Sequence, residues 1–189
     1  MNTMELKEAK KILDKRFSRD AKFLWDLVES LKLKQDAKIL DVGTGRGIMA
    51  TILALQGYNV ITGEPEGDNW ADWQEAAQKV NILDKIAFRY LNAEDLPFED
   101  KSLDAIFIYG SFHHIAGKYR AFKEFKRVIK QDGVVVIIEL TAKGVEEVKK
   151  KHGSHPEAIN TLEFSKDSLM KVEIRESEIV NAFIFRKYD

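Results

Sequence analysis

The stretch "DVGTGRG", residues 41–47 of a 189-residue chain, sets three glycines at G-x-G-x-G spacing between two apolar runs. Glycines so placed let a ligand approach the backbone, because no Cβ stands in the way. A dinucleotide fingerprint would put its third glycine where Ile48 stands, and a P-loop would end in Gly-Lys-Ser/Thr, which "GRGIMAT" does not. Glu64, closing the next β-rich run, offers two carboxylate oxygens to a ribose diol. Asn92, after the third run, carries an amide that both donates and accepts, as an adenine edge requires. His113 and His114 follow the fourth run. Imidazole titrates near neutrality, so each is a candidate catalytic base, the alternative being that the pair shapes a pocket or caps the following loop.

Such groups need a scaffold that brings strand ends together. Apolar periodicity predicts strands over 38–42, 60–62, 86–90, 103–109 and 134–140. Helices are expected at 48–55, stopped by Gly57, within "NWADWQEAAQKV", and over 119–129, with a turn at Asp132 and Gly133. The N-terminal part reads as helical, with Ser18 as N-cap of a helix carrying Phe23, Leu24, Leu27, Val28 and Leu31. Strands alternating with helices imply a doubly wound α/β domain, whose ligands bind beyond the carboxyl ends of the strands. Two β-rich stretches near the C-terminus, 172–177 and 179–187, have so little chain between them that they must pair antiparallel.

The chain length suits one domain spanning 1–189: N-terminal helices over 1–35, a cofactor-binding core over 36–140, and a substrate-side segment with the closing hairpin over 141–189. Acidic and basic residues nearly cancel, 31 against 30, which gives no electrostatic argument for nucleic acid or an acidic membrane. The absence of cysteine excludes disulfides, iron–sulfur clusters and thiolate zinc sites and fits a reducing compartment. No apolar run reaches the roughly 20 residues of a membrane span. The sequence reads as that of a soluble cytoplasmic protein.

Other features have plainer readings. The glycines alone could form only a tight strand-to-helix turn; Glu64 and Asn92 at the neighbouring strand ends favour a ligand. In "KKKHGSH", His152 and His155 without cysteine read as a solvated helix end, and no metal site is expected. Trp70 and Trp73 read as packing residues on a helix, and Phe98 as the apolar anchor of a turn.

Taken together, "ILDVGTGRG", "VITGEPE", "LNAEDLPFEDKSLDAIFIYGSFHHI" and "AFKEFKRVIKQDGVVVIIEL" resemble the class I S-adenosylmethionine-dependent methyltransferases, in particular their ubiquinone and menaquinone branch. The resemblance runs from about Lys38 to Leu140. It implies a Rossmann-like, mostly parallel seven-stranded sheet with helices on both faces, closed by a C-terminal antiparallel hairpin. It implies S-adenosyl-L-methionine as cofactor. Asp41, Gly43, Thr44, Gly45 and Gly47 would lie around its methionine and ribose, Glu64 would hold the ribose hydroxyls, and Pro65 would pack on the adenine. Asn92 and Ala93 stand where the family has Asp-Ala; the Asn92 carbonyl can replace the aspartate as acceptor. Tyr109, Gly110 and Ser111 match the stretch whose backbone faces the cofactor's amino acid.

Methyl transfer needs alignment of two reactants and exclusion of water, with a base only where the acceptor must lose a proton. The acceptor is expected to be a small O, N or C nucleophile, with nucleic acid disfavoured and no membrane involved; a homo-oligomer stays open. Arg16, Phe17 and Arg19 are candidates to close over the cofactor, and "TAKGVEEVKKKHGSHPEAINTLEF" to roof the acceptor. A non-catalytic cofactor-binding subunit of the same fold is the alternative.

Overall fold

The computed structural model describes residues 6–67 and 72–188. The chain divides into two compact units, Met1–Leu91 and Asn92–Asp189.

The first unit opens with α1 (Leu6–Ile12) and α2 (Lys15–Leu31). Phe17, Ala21, Leu24, Leu27 and Val28 form the buried stripe of α2. Its N-cap is Asp14, whose carboxylate accepts the Phe17 N–H at 2.8 Å, and not Ser18 as expected. A carboxylate suits the positive end of a helix better than a hydroxyl, and Ser18, one turn in, instead donates to the Lys10 carbonyl at 2.9 Å. Next come β1 (Ile39–Val42), α3 (Ile48–Leu55), β2 (Val60–Glu64), α4 (Trp73–Lys79) and β3 (Ile86–Tyr90). All residues of β1 and α3 are buried, the apolar ones as their character requires and Asp41 and Thr51 among them.

The three strands are parallel, with β2 between β1 and β3 in the registers Ile39↔Val60 and Val60↔Ile86. Strand β2 runs two residues past its expected end because Gly63 and Glu64 continue to pair with Arg89 and Tyr90. A Cβ on Gly63 would stand 2.3 Å from the Arg89 carbonyl oxygen, so only glycine permits that pairing. Asp72 caps α4, accepting the Glu75 N–H at 3.2 Å. Trp73 is buried and stacks on Phe88 with ring centroids 6.1 Å apart, in keeping with a packing role; Trp70 lies outside the described residues.

The second unit contains β4 (Leu103–Tyr109), α5 (Lys118–Val128), β5 (Ile129–Leu140), α6 (Ala142–His152), α7 (Leu162–Ser165), β6 (Met170–Glu176) and β7 (Val180–Lys187). Helix α5 buries Ala121, Phe122, Phe125 and Val128 at helical spacing. Strand β5 is parallel to β4 and antiparallel to β7, which pairs antiparallel with β6. The expected turn at Asp132 and Gly133 is absent. Strand β5 continues through it, and the surplus residues between the pairs Leu103↔Ile129 and Ala105↔Val134 are taken up as a bulge. The hairpin lies where the sequence placed it, and its outer strand alternates Lys171, Glu173 and Arg175 with Val172 and Ile174, a charged edge that resists further pairing. The two units together supply the seven strands expected. Among the described residues no helix is long and apolar enough to cross a membrane.

Candidate cofactor and acceptor sites

In the first unit, the chain leaving β1 turns within the glycine loop and enters α3. The Gly43 N–H donates to the Gly63 carbonyl at 2.9 Å, and the Gly47 N–H to the Thr44 carbonyl at 2.7 Å. Glu64 reaches this loop: its Oε1 accepts the Gly45 N–H at 2.6 Å. Gly45 has φ +50° and open space on its Cβ side, the nearest atom being the Gly43 oxygen at 3.9 Å. Gly47 differs, since a Cβ there would strike Trp73. Two of the three glycines therefore differ, with open space beside Gly45 and close packing against Trp73 at Gly47.

Behind the loop, Asp41 is fully buried. Its Oδ2 accepts the Thr62 hydroxyl at 2.8 Å, and that hydroxyl lies 2.9 Å from the hydroxyl of buried Thr44. Its Oδ1 has no hydrogen-bond partner among the described residues. Burial pushes the Asp41 carboxyl up to about 8, the Thr62 hydroxyl opposing and the Glu64 charge adding to the rise. An orphaned acceptor on a carboxyl this strongly desolvated calls for a donor, preferably a cation. Pro65 is exposed in the loop after β2. The chain also makes a link that motif reading did not supply: Arg46, inside the glycine loop, pairs with the capping carboxylate of Asp14 at 2.7 Å. Both line a cavity of about 280 Å³ together with Ile12, Phe17, Ile48 and Lys79. Arg16 is exposed, Arg19 donates to Asp20 at 2.7 Å, and Phe17 is buried and lines this cavity.

In the second unit, Asn92 is exposed and its Oδ1 accepts the Glu94 N–H at 2.9 Å, one of the two bonds that oxygen can take. Ala93 is buried, and Glu94 accepts the Gly117 N–H at 2.8 Å in front of α5. Tyr109 ends β4 and Gly110 and Ser111 follow it, with the Gly110 N–H donating to the Ile138 carbonyl at 2.8 Å and Gly110 at φ +61°.

The two histidines part company. The His113 side chain is 5% exposed and meets Glu139, itself 3% exposed, with Nδ1 2.8 Å from Oε2, while the His113 backbone N–H donates to Oε1 at 3.1 Å. Its Nε2 is buried without a partner among the described residues. His114 is exposed; desolvation, with the neighbouring His113, His155 and Lys118, lowers its pKa against the opposing pull of Glu139. His155 lies with its ring centroid 4.8 Å from that of His113, and its Nδ1 is 2.7 Å from the Pro156 oxygen; the His152 side chain is outside the described ones. Among the described residues no His, Asp and Glu group is arranged to hold a metal.

A second cavity of about 290 Å³ is lined by Glu139, Leu140, Thr141, Ala142, 158–160, Asn181 and Phe183. Residues 158–160 belong to the segment expected to roof the acceptor. Thr161, next in the chain, is fully buried with its hydroxyl unpartnered among the described residues. Glu139 escaped the motif reading, yet the signal was present: it is the one charged residue in "VVVIIEL".

A strand-end glycine loop with a carboxylate on the next strand, on a doubly wound α/β scaffold, defines a nucleoside-binding class of protein. Residues 40–137, just over half of the chain, match the methyltransferase domain family, and the chain belongs to it. It is 34% identical over 125 residues to the demethylmenaquinone methyltransferase of Thermotoga maritima, covering 66% of this chain and 52% of that protein. The chain spans about half the length of the curated relatives it matches, or less. Two solved structures superpose on it: a SAM dependent methyltransferase from Aquifex aeolicus, at 20% identity, TM-score 0.71, covering 96% of this chain and 98% of that one, and the PH0226 protein from Pyrococcus horikoshii, at 16% identity, TM-score 0.76, covering 94% of each. Those likenesses show the fold, a mostly parallel seven-stranded α/β sheet with a C-terminal antiparallel hairpin.

Proposed function

We propose that this chain is a cytoplasmic S-adenosylmethionine-dependent methyltransferase that transfers a methyl group to a small-molecule O, N or C nucleophile. The observation that carries the reading is the buried, unpartnered Asp41 Oδ1 behind a glycine loop whose Gly45 leaves open space. These residues fit the cofactor: its α-ammonium supplies the cationic donor that the Asp41 oxygen lacks, and Gly45 admits it close to the backbone. S-adenosylmethionine supplies a methyl group activated by its sulfonium.

The residues assigned to holding it are Asp41, Gly43, Thr44, Gly45, Gly47, Glu64 and Pro65 in the first unit, and Asn92, Ala93, Tyr109, Gly110 and Ser111 in the second. Glu64 meets the ribose, and Asn92 keeps one acceptor position of its Oδ1 for the adenine. His113 and His114 are the candidate groups for proton transfer. The demethylmenaquinone methyltransferase relative supports a small-molecule acceptor, and the near balance of 31 acidic and 30 basic residues is in keeping with one. Calorimetric titration with S-adenosylmethionine, S-adenosylhomocysteine and NAD tests this. Binding of the first two, lost in Gly45→Arg, is expected; affinity for NAD alone would defeat the reading. Formation of S-adenosylhomocysteine from labelled cofactor and a metabolite extract then distinguishes an enzyme from a binding module.

A further inference from the structure

Glu139 stands at the end of β5 with its carboxylate withdrawn from water, and both of its oxygens are taken by one residue. The His113 backbone N–H fixes Oε1, and the ring Nδ1 meets Oε2. A carboxylate accepts and does not donate, so Nδ1 carries a proton, and whenever the ring is neutral Nε2 is the nitrogen with the bare lone pair. That Nε2 is the buried atom without a partner. The charged and titratable groups around the histidine pair are Glu139 on β5, His114 in the same turn, His155 in the loop after α6 and Lys118 at the start of α5. Glu139 also lines the cavity whose other walls include Leu140, Ala142, Ile159 and Phe183. Its volume of about 290 Å³ is at the small end for ligand pockets, which start near 300 Å³.

We propose that Glu139 is the positioning residue of a Glu139–His113 dyad, and that the Nε2 of His113 accepts the proton of a small, apolar methyl acceptor bearing a weakly acidic hydroxyl, a phenol or an enol. This rests on the methyltransferase reading above. The acceptor oxygen bonds to the methyl carbon as its proton passes to Nε2; the carbon–sulfur bond breaks, and the sulfur keeps the electron pair as a thioether. The imidazolium that forms is stabilised by Glu139 and returns its proton to solvent on product release. A carboxylate acceptor would need no such base, and the apolar wall suits a flat carbon skeleton. Glutamine at 139 cannot do the same work, because one carbonyl and one amide face two donors, the backbone N–H and Nδ1–H.

The test uses the whole chain with selectively labelled histidine, whose imidazole nitrogen spectra report the tautomer without any cofactor. The expected result is the Nδ1–H tautomer for His113 in the wild type and its loss in Glu139→Gln. Turnover of S-adenosylmethionine over a panel of simple phenols and enolisable diketones should fall about 100-fold or more in His113→Ala. In Glu139→Gln it should fall through kcat rather than KM. An Nε2–H tautomer in the wild type overturns the dyad even if Glu139→Gln fails to fold. An unchanged tautomer or unchanged kcat in a folded Glu139→Gln overturns it too, and no turnover across the panel overturns the acceptor class. Absence of S-adenosylmethionine binding to the wild type defeats the methyltransferase reading instead, and is told apart because the tautomer is read first.

Discussion

Gly47 and Trp73 lie so close that a Cβ on Gly47 would stand 2.8 Å from the Cβ of Trp73. The contact joins the start of α3 to the start of α4, and it gives Gly47 a packing reason that holds with or without a ligand. Gly47→Ala adds that clash to the strain of φ +69°, and should lower the unfolding free energy by about 2–3 kcal/mol. Gly45→Ala meets only the strain of φ +50° and should cost about 1 kcal/mol. Urea titration of the two variants checks the order, and equal losses would contradict the division of labour between the glycines.

Asp41 makes stability depend on pH. In the folded chain its carboxyl is held up to about 8 by burial, against an ordinary 3.8, so between these values the folded state keeps a proton that the unfolded chain has released. The stabilisation is complete below about pH 4 and is lost as pH rises through about 8. Asp41→Asn removes this titration. Relative to wild type it should gain stability as pH rises, by up to about 1.4 kcal/mol per pH unit. Denaturation at pH 5 and pH 8 measures the difference, and parallel profiles for the two proteins would refute it.

Much of this was legible in the chain. The strands 86–90 and 103–109 and the helix 48–55 have the ends that their apolar runs dictate, and "DVGTGRG" opens a strand-to-helix turn as its glycines require. What escaped depended on partners distant in sequence. Asp14 outcompetes Ser18 as a cap and is held by Arg46, 32 residues on, which local spacing cannot reveal. Strand β5 runs through Asp132 and Gly133 because it has β4 to pair with, so tertiary pairing overrides a turn-forming dipeptide. The histidine pair was visible as two equivalent residues; only the fold separates buried His113, gripped by Glu139, from exposed His114.

Arg127 gathers the loop after Asn92 onto α5. Its guanidinium donates to the carbonyls of Phe98 at 2.9 Å and Leu96 at 3.0 Å, and to the carboxylates of Asp100 at 2.8 Å and Glu124 at 2.6 Å. Lysine is a point donor and cannot span these directions. With the side chain one-third exposed, Arg127→Ala should cost about 1–2 kcal/mol, and Arg127→Lys should recover less than half of it. Thermal unfolding of both variants decides this; full rescue by lysine would show that charge alone matters.

The same Asp41 titration makes cofactor binding release a proton. At pH 7 a carboxyl held up to about 8 is mostly protonated, and it must ionise to pair with the α-ammonium assigned to it. S-adenosylmethionine should therefore bind more tightly as pH rises from 6 towards 8, by less than tenfold per pH unit. Calorimetry in buffers of different ionisation enthalpy should show close to one proton released per ligand at pH 6.5. 5′-Methylthioadenosine, which lacks the amino acid, should release none, and neither should S-adenosylmethionine with Asp41→Asn. Equal proton release by the two ligands would place the ammonium elsewhere and leave the orphaned oxygen without its assigned partner.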